Sequence, residues 1–180
     1  MPKQVDHDAH RQQLAQQAAE LFSKHGYTGL GMRQIATELG VSKSALYHYF
    51  PTKKALFHAC TELVTQFDAP QTDTTVKART RKKSDSIHEL IAQIKNLEPS
   101  FASELSLLVD YLRGRSQSDI ATDPSMQLAN ERYRQLIANY VDEKHASPVL
   151  CLMLGALLMR FFDGGQTDFD TLEAWLRKAL

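Results

Sequence analysis

Two short helical patterns separated by a glycine constrain this chain more than any other feature. The segment MRQIATELGVSKSAL, residues 32–46, places Ile35, Ala36 and Leu39 at helical spacing just before Gly40. Two helices that cross steeply over a short turn need a small side chain where they approach and a turn residue that tolerates positive φ. Ala36 and Gly40 meet these two needs. The segment therefore predicts a helix-turn-helix.

The rest of the chain repeats the helical spacing of apolar residues, and no stretch alternates apolar and polar residues over the length of a strand. The sequence therefore predicts an all-α protein of about nine helices. Polar segments at residues 68–86 and 114–123 are expected to connect helices. Helices are expected over about residues 8–26, 32–40, 42–50, 53–68, 86–97, 99–113, 124–144, 148–164 and 168–180.

Polar side chains are concentrated on the second helix of the helix-turn-helix. Ser42 is a good N-cap for this helix, and a helix that enters a DNA major groove presents its first residues to bases and phosphates. Packing in the core is the alternative for the aromatic residues, and it is the expected role of Tyr49 and Phe50. The candidate DNA contacts are Arg33, Ser42, Lys43, Ser44, Tyr47, His48 and Lys53.

Charge is unevenly distributed although the net charge is zero. The first 60 residues hold seven basic and four acidic side chains, and five of the seven histidines. The remainder holds 14 basic and 17 acidic side chains. A basic head on an acidic body is expected if only the head meets a polyanion. The run KARTRKK, residues 77–83, is either a solvated linker or a further phosphate contact.

Several other classes of protein are not favoured. Cys60 and Cys151 lack CxxC spacing, and His7 and His10 have no neighbouring partners, so neither a disulfide framework nor a metal site is expected. Neither a glycine-rich phosphate loop nor a nucleophile elbow is present, so no enzyme and no cofactor are expected. The polar N-terminus and the short apolar run at residues 149–159 predict a soluble, cytoplasmic protein.

A stretch of about 40 residues has a recognisable pattern. Residues 18–57, AAELFSKHGYTGLGMRQIATELGVSKSALYHYFPTKKALF, resemble the DNA-binding head of the TetR family of bacterial transcriptional regulators. The resemblance covers about a third of the chain. Two positions depart from it, since the family usually has Ser or Thr at Gly31 and often has Gly at Ser44. The matching positions are Phe22, Gly26, Tyr27, Ile35, Ala36, Gly40, Val41, Ser42, Leu46, Tyr47, Tyr49, Phe50 and Lys53.

This resemblance implies a division of the chain into two parts. Residues 1–52 would form the helix-turn-helix DNA-binding domain, and residues 53–180 a helical domain for ligand binding and dimerisation. The implied function is that of a homodimeric repressor that a small-molecule ligand releases from a palindromic DNA operator. The alternatives are an activator, or a DNA-binding or protein-interaction protein without a small-molecule sensor.

The helix expected from Pro148 is apolar on nearly every side. Such a helix has to be buried all round. Pairing with a second copy across a two-fold axis would bury it, whereas a central place in the core of one chain is the alternative. The family resemblance also implies a homodimer through the last two helices. The candidate interface residues are Leu150, Leu154, Leu158, Phe161, Leu172, Trp175 and Leu176.

The ligand pocket is the least constrained feature. Aromatic and methionine residues at helical spacing pack in cores as readily as they line pockets, and no charge cluster indicates a ligand. A moderately apolar small molecule is expected. The candidate lining residues are Phe101, Tyr111, Met126, Tyr133, Tyr140 and Met153.

Overall fold

The structure is a computed structural model that describes residues 7–66 and 83–180. Within these two ranges every regular element is an α-helix, which confirms the all-α prediction of about nine helices. The helices are α1 His7–His25, α2 Met32–Glu38, α3 Lys43–Tyr49, α4 Lys53–Val64, α5 Lys83–Leu112, α6 Gln117–Ala121, α7 Pro124–Ala138, α8 Glu143–Asp163 and α9 Phe169–Ala179.

The turn between α2 and α3 has the geometry that the sequence predicts. Gly40 adopts φ +68°, in the left-handed region that favours glycine. The N–H of Val41 donates to the carbonyl of Ala36 at 3.0 Å, and Ala36 is buried. Ser42 caps α3, because its Oγ accepts from the N–H of Ala45 at 3.1 Å. These contacts establish the helix-turn-helix.

The described residues form two compact units, each with its own core. One unit contains residues 7–66 and 103–130, and the other contains residues 83–102 and 131–180. Helices α5 and α7 contribute to both units. The division into residues 1–52 and 53–180 stays a prediction about function, since compactness alone assigns no role to either part.

The core of the first unit lies under the helix-turn-helix. Phe22, Leu46 and Phe50 are fully buried there. Helix α4 lies along α1, where the thiol of Cys60 donates to the carbonyl of Ala15 at 3.2 Å. Burial raises the pKa of this thiol to about 12, so it stays neutral and unreactive at physiological pH.

The core of the second unit joins α8 to α9 and to the first half of α5. The buried side chains of these helices form one apolar cluster. Each Å² of apolar surface that is removed from water stabilises the fold by about 25 cal/mol. Helix α8 ends at Gly164, the C-cap, whose φ of +68° lies in the left-handed region that favours glycine. The main members of the cluster are Ile87, Leu90, Ile91, Ile94, Val149, Met153, Leu157, Leu172 and Leu176.

The prediction of two helices on either side of Pro99 is wrong. Helix α5 continues through this residue and is 30 residues long. A proline inside a helix removes one backbone hydrogen bond and usually breaks the helix. Here the buried side chains of Ile87, Leu90 and Ile94 anchor the first half, while Tyr111 anchors the second half in the other core. Packing at both ends therefore compensates for the lost bond.

The boundaries near α4, α6 and α8 also differ from the predictions. Helix α4 ends at Val64, before the expected residue 68. The expected loop at residues 114–123 contains α6, which begins with a capping box in which the N–H of Asp119 donates to Ser116 Oγ at 3.2 Å. Helix α7 ends at Ala138 and α8 starts at Glu143, so Pro148 lies inside α8. The serine-to-aspartate spacing was a readable signal for α6.

Candidate nucleic-acid interface

Helix α3 has one buried side and one exposed side. Leu46, and Phe50 just after the helix, are fully buried. Ser42, Lys43 and Ser44 are exposed at the start of the helix. Tyr47 and His48, further along the helix, are exposed as well. Five of the seven predicted DNA contacts are thus exposed on α3 or at its N-cap.

The side chains on this exposed surface contact one another only lightly. The Oγ atoms of Ser42 and Ser44 lie 3.1 Å apart, so these hydroxyls share a hydrogen bond. The ammonium of Lys43 lies 5.5 Å from the ring centroid of Tyr47. No ion pair holds Lys43 to another described side chain, which leaves its charge available to an anion in the groove.

The start of α2 carries the predicted contact Arg33, which is exposed. Gly31 is the N-cap of this helix and has no hydroxyl. The side chain of Gln34 folds back on the N-cap, since its Oε1 accepts from the N–H of Gly31 at 2.8 Å. The departure from the family pattern at Gly31 therefore leaves α2 without a side chain of the N-cap residue that accepts from its first N–H groups.

The ammonium of Lys53 is engaged inside its own unit. It donates to the carbonyls of Tyr27 and Leu30, both at 2.9 Å, and lies 4.4 Å from the ring centroid of Tyr27. Burial lowers the pKa of Lys53, while the carboxylate of Asp110 opposes that shift. A phosphate contact by Lys53 stays a prediction, and these two bonds compete with it. The sequence did not reveal that Lys53 fixes the loop before α2.

Asp110 of α5 holds the same loop. It accepts from the N–H of Thr28 at 2.7 Å and from the Thr28 hydroxyl at 2.7 Å. These bonds lower the pKa of Asp110. Gly26 lies beside it with φ +76°, and a Cβ there would come within 2.9 Å of the Asp110 carboxylate. The carboxylate therefore fixes the loop that leads into α2.

Asp123 joins α4, α5 and the start of α7. Its buried carboxylate accepts from the hydroxyl of Tyr111 at 2.8 Å, from the guanidinium of Arg115 at 2.8 Å and from the ammonium of Lys54 at 2.9 Å. Burial acts to raise the pKa of Asp123, but hydrogen bonds from Lys54, Tyr111 and the N–H of Met126 outweigh it and lower the pKa to about 2. The carboxylate is therefore charged at neutral pH.

Comparison with known proteins shows to which family the helix-turn-helix segment is similar. A family model described as "Bacterial regulatory proteins, tetR family" matches residues 14–60, the segment that contains α2, α3 and the turn between them. In this N-terminal segment the chain is similar to the TetR family. The HTH-type transcriptional regulator PksA of Bacillus subtilis is 33% identical over 98 residues, which are 54% of this chain and 43% of PksA. The match thus spans less than half of that relative.

Two solved structures share the fold of this chain. The multidrug binding protein EbrR, in complex with proflavin, aligns with a TM-score of 0.64 and 17% identity over 94% of this chain and 99% of EbrR. A TetR transcriptional regulator from Rhodococcus sp. RHA1 aligns with a TM-score of 0.58 and 17% identity, over 96% of this chain and 94% of its own. At this identity the likeness concerns the fold alone.

The predicted pocket residues are divided between the two cores of the chain. Phe101, Tyr133 and Tyr140 pack at the edge of the second core, and Met153 is buried within it. The other two, Tyr111 and Met126, belong to the first core. Tyr111 is fully buried and bonded to Asp123, so its place in the structure is that of a core residue.

The predicted dimer residues lie on two different sides of α8 and α9. Leu150, Leu172 and Leu176 are buried in the core of their own unit. They hold α8 and α9 together within one chain. A direct contact of these three side chains with a second copy stays a prediction.

The remaining predicted dimer residues are accessible. Leu154, Phe161 and Trp175 are 45%, 53% and 60% exposed, and Leu158 is half-buried. Phe162 beside them is 70% exposed, although sequence analysis did not select it for the interface. Large apolar side chains at this exposure leave an unpartnered apolar surface on α8 and α9. We call Leu154, Leu158, Phe161, Phe162 and Trp175 the α8–α9 apolar face.

Helix α8 is longer than the apolar run from which it was predicted. By length and composition alone it is the one helix among the described residues that would be able to cross a membrane. Helices that pack in the core of soluble proteins pass the same test. Six of its residues pack in the second core, which agrees with such a role.

Proposed function

We propose that this chain is a transcriptional repressor that binds a palindromic DNA operator as a homodimer. Residues 1–52 would read the DNA, and residues 53–180 would supply the dimer contact and a site for a small molecule that releases the operator. The observation that carries the proposal is the exposed polar side of α3 above a fully buried Leu46, within the segment that matches the family. No catalytic step is assigned to the chain.

The α8–α9 apolar face supports the dimer. Exposed apolar surface of this kind is stabilised when a second copy covers it, and a two-fold axis makes the same face self-complementary. Gly155 lies on the exposed side of α8 with open space around its backbone, so a second helix can approach closely there. Two α3 helices related by this axis would meet successive major grooves of one DNA duplex.

The release mechanism requires a ligand that binds two states of the dimer differently. EbrR, which shares the fold, has proflavin bound, and proflavin is a flat aromatic molecule. Phe101, Tyr133 and Tyr140 are half-buried aromatic side chains of the second unit, and they are candidates to contact a flat aromatic ligand. Repression is the more common behaviour of the family that this chain resembles.

Selection of binding sites from a random duplex pool tests this function. The purified full chain is mixed with the pool at physiological salt, and the bound duplexes are sequenced. We expect enrichment of a palindrome whose half-sites are separated by about one DNA turn or a multiple of it. Recovery of random sequence only, in both the absence and the presence of candidate ligands, would contradict sequence-specific binding.

The two ends of α3 are expected to contribute differently to binding. Changing Tyr47 to Phe removes one hydroxyl that is proposed to lie near the DNA backbone. The affinity for every DNA sequence should therefore fall by a similar factor of about three. Changing Lys43 to Ala removes a candidate base contact and should reduce discrimination at one position of each half-site by about tenfold. Affinity measured on the selected site and on single-base variants checks both. Equal loss on every base variant for Lys43→Ala would contradict its role in base reading.

A further inference from the structure

Three imidazole side chains lie together where α1 begins and α3 ends. Nδ1 of His7 lies 3.1 Å from the hydroxyl oxygen of Tyr49. The ring centroid of Tyr49 lies 5.4 Å from that of His10 and 5.2 Å from that of His48, and the rings of His7 and His48 are 6.4 Å apart. We call His7, His10 and His48 the imidazole cluster.

The cluster borders the surface that is proposed to contact DNA. His7 and His48 are exposed and His10 is half-buried. His48 belongs to α3, whereas His7 and His10 lie one turn apart on α1. Tyr49, which the sequence placed in the core, is half-buried and links the two helices through its ring and hydroxyl. The sequence analysis gave a DNA role to His48 alone.

We propose that His7 and His10 form, together with His48, a second phosphate-contact site beside α3, whose hold on duplex DNA strengthens as the imidazoles take up protons. The proposal rests on the DNA-binding function proposed above. An imidazole that takes up a proton carries a positive charge and donates from both ring nitrogens, which suits a phosphate oxygen. Each phosphate neutralised in this way also releases counterions and steepens the dependence of affinity on salt.

The charges around the cluster favour this coupling. Its charged neighbours on α1 are Asp8 and Arg11, and Arg11 lies 3.9 Å from Glu62 of α4, which offsets its charge. On α3 the nearest cation is Lys43, which lies against Tyr47. The rings of His7 and His48, 6.4 Å apart, repel one another when both are positive and no anion is present. A phosphate between them relieves that repulsion, so binding of DNA and uptake of protons should favour each other.

The test uses the full chain and fluorescence anisotropy of a labelled duplex that carries a selected site, or a generic duplex if no site is selected. Affinity is measured at about pH 8 and about pH 6, and between about 50 and 200 mM salt. The test variant carries His7→Gln and His10→Gln, because Gln keeps a hydrogen-bonding group for Tyr49 and cannot become charged. The single variant His7→Gln, at an exposed position, covers the case in which the double variant unfolds.

The matched control is His25→Gln. His25 is exposed on the same helix, but 18 residues further on from His7, which is roughly 27 Å along the helix axis. We expect the unaltered chain to bind more tightly at the lower pH, with a steeper salt dependence. The double variant should lose about tenfold in affinity at the lower pH and about twofold or less at the higher pH. His25→Gln should behave as the unaltered chain does.

The other outcomes overturn the inference in separable ways. If the double variant keeps the affinity and salt dependence of the unaltered chain at both pH values, the phosphate site is absent while DNA binding stands. If the double variant loses affinity by the same factor at both pH values, the contact exists without proton coupling and the proposal fails. If His25→Gln lowers the affinity at the lower pH as much as the double variant does, a general charge effect explains the result and the proposal fails. If the unaltered chain binds no duplex at either pH, the proposed function itself fails.

Discussion

Replacement of Asp123 by Asn is expected to lower the free energy of unfolding by about 3 kcal/mol at neutral pH. The carboxylate is fully buried and receives hydrogen bonds from Tyr111, Arg115 and Lys54. Removal of the single negative charge leaves two cations facing each other without their shared partner, which is costly in a buried position. Urea unfolding followed by circular dichroism measures the change.

The matched control for this change is Glu104→Gln. Glu104 lies exposed on α5, and a neutral surface change of this kind should alter the free energy of unfolding by about 0.5 kcal/mol or less. If Asp123→Asn were as mild as the control, the three hydrogen bonds would not stabilise this part of the fold in solution.

Because of the same carboxylate, the free energy of unfolding should depend on pH in the acid range. The folded state lowers the pKa of Asp123 from 3.8 to about 2, so its contribution is fully present above about pH 4 and is lost as the pH falls towards 2. The shift corresponds to about 2 kcal/mol. The difference in unfolding free energy between the unaltered chain and Asp123→Asn should therefore shrink by that amount from about pH 5 to about pH 2. A constant difference over this range would contradict the assigned shift.

Replacement of Leu154 by Glu should separate the proposed dimer and abolish tight DNA binding. The change places a charge on the α8–α9 apolar face, where a second copy would have to desolvate it. Because one head alone contacts one half-site, the affinity for the palindrome should fall by about a hundredfold or more. Sedimentation velocity gives the mass of the chain, and anisotropy gives its affinity for DNA.

The matched control for this change is Val109→Glu. Val109 is 56% exposed on α5, similar to Leu154 at 45%, but it lies outside the α8–α9 apolar face. This variant should keep the mass and the DNA affinity of the unaltered chain. A Leu154→Glu chain that still sediments as a dimer with full affinity would place the dimer contact elsewhere.

The part of the fold that the sequence predicted best is the part specified by residues close together in the chain. Ala36, Gly40 and Ser42 each have a local conformational reason for their place, and the structure shows all three in those places. Asp168 likewise begins the helix expected over residues 168–180, because it caps α9 by accepting from the N–H groups of Asp170 and Thr171. Signals of this kind act within a single turn of backbone, so periodicity and capping rules suffice to read them.

The contacts that fix the loop before α2 were not predictable in this way. Thr28 and Asp110 are 82 residues apart in the chain, and nothing local in either segment indicates the other. Lys53 is among the predicted DNA contacts, yet its ammonium donates to two carbonyls of the loop before α2. Long-range pairing of polar groups depends on tertiary packing, which a single sequence does not display.

The two sides of α8 and α9 illustrate a second limit. Leu172 and Trp175 both fit an apolar helical pattern, but the structure buries the first and exposes the second. Periodicity identifies a helix that needs apolar partners on several sides, but it does not assign each side to the core or to another copy. Residues 68–82, with most of the KARTRKK run, lie outside the described residues, so the prediction of a linker there stays untested.

Hydroxyl-radical footprinting of the full chain on a selected palindrome tests the central claim most directly. The account predicts two protected patches of backbone, related by the two-fold axis of the site and centred about 10 base pairs apart or a multiple of that distance. Each patch should weaken when Tyr47 is changed to Phe, since its hydroxyl lies at that surface. A single protected patch on the palindrome, or protection that does not change in the Tyr47 variant, would contradict a dimer that reads DNA through α3.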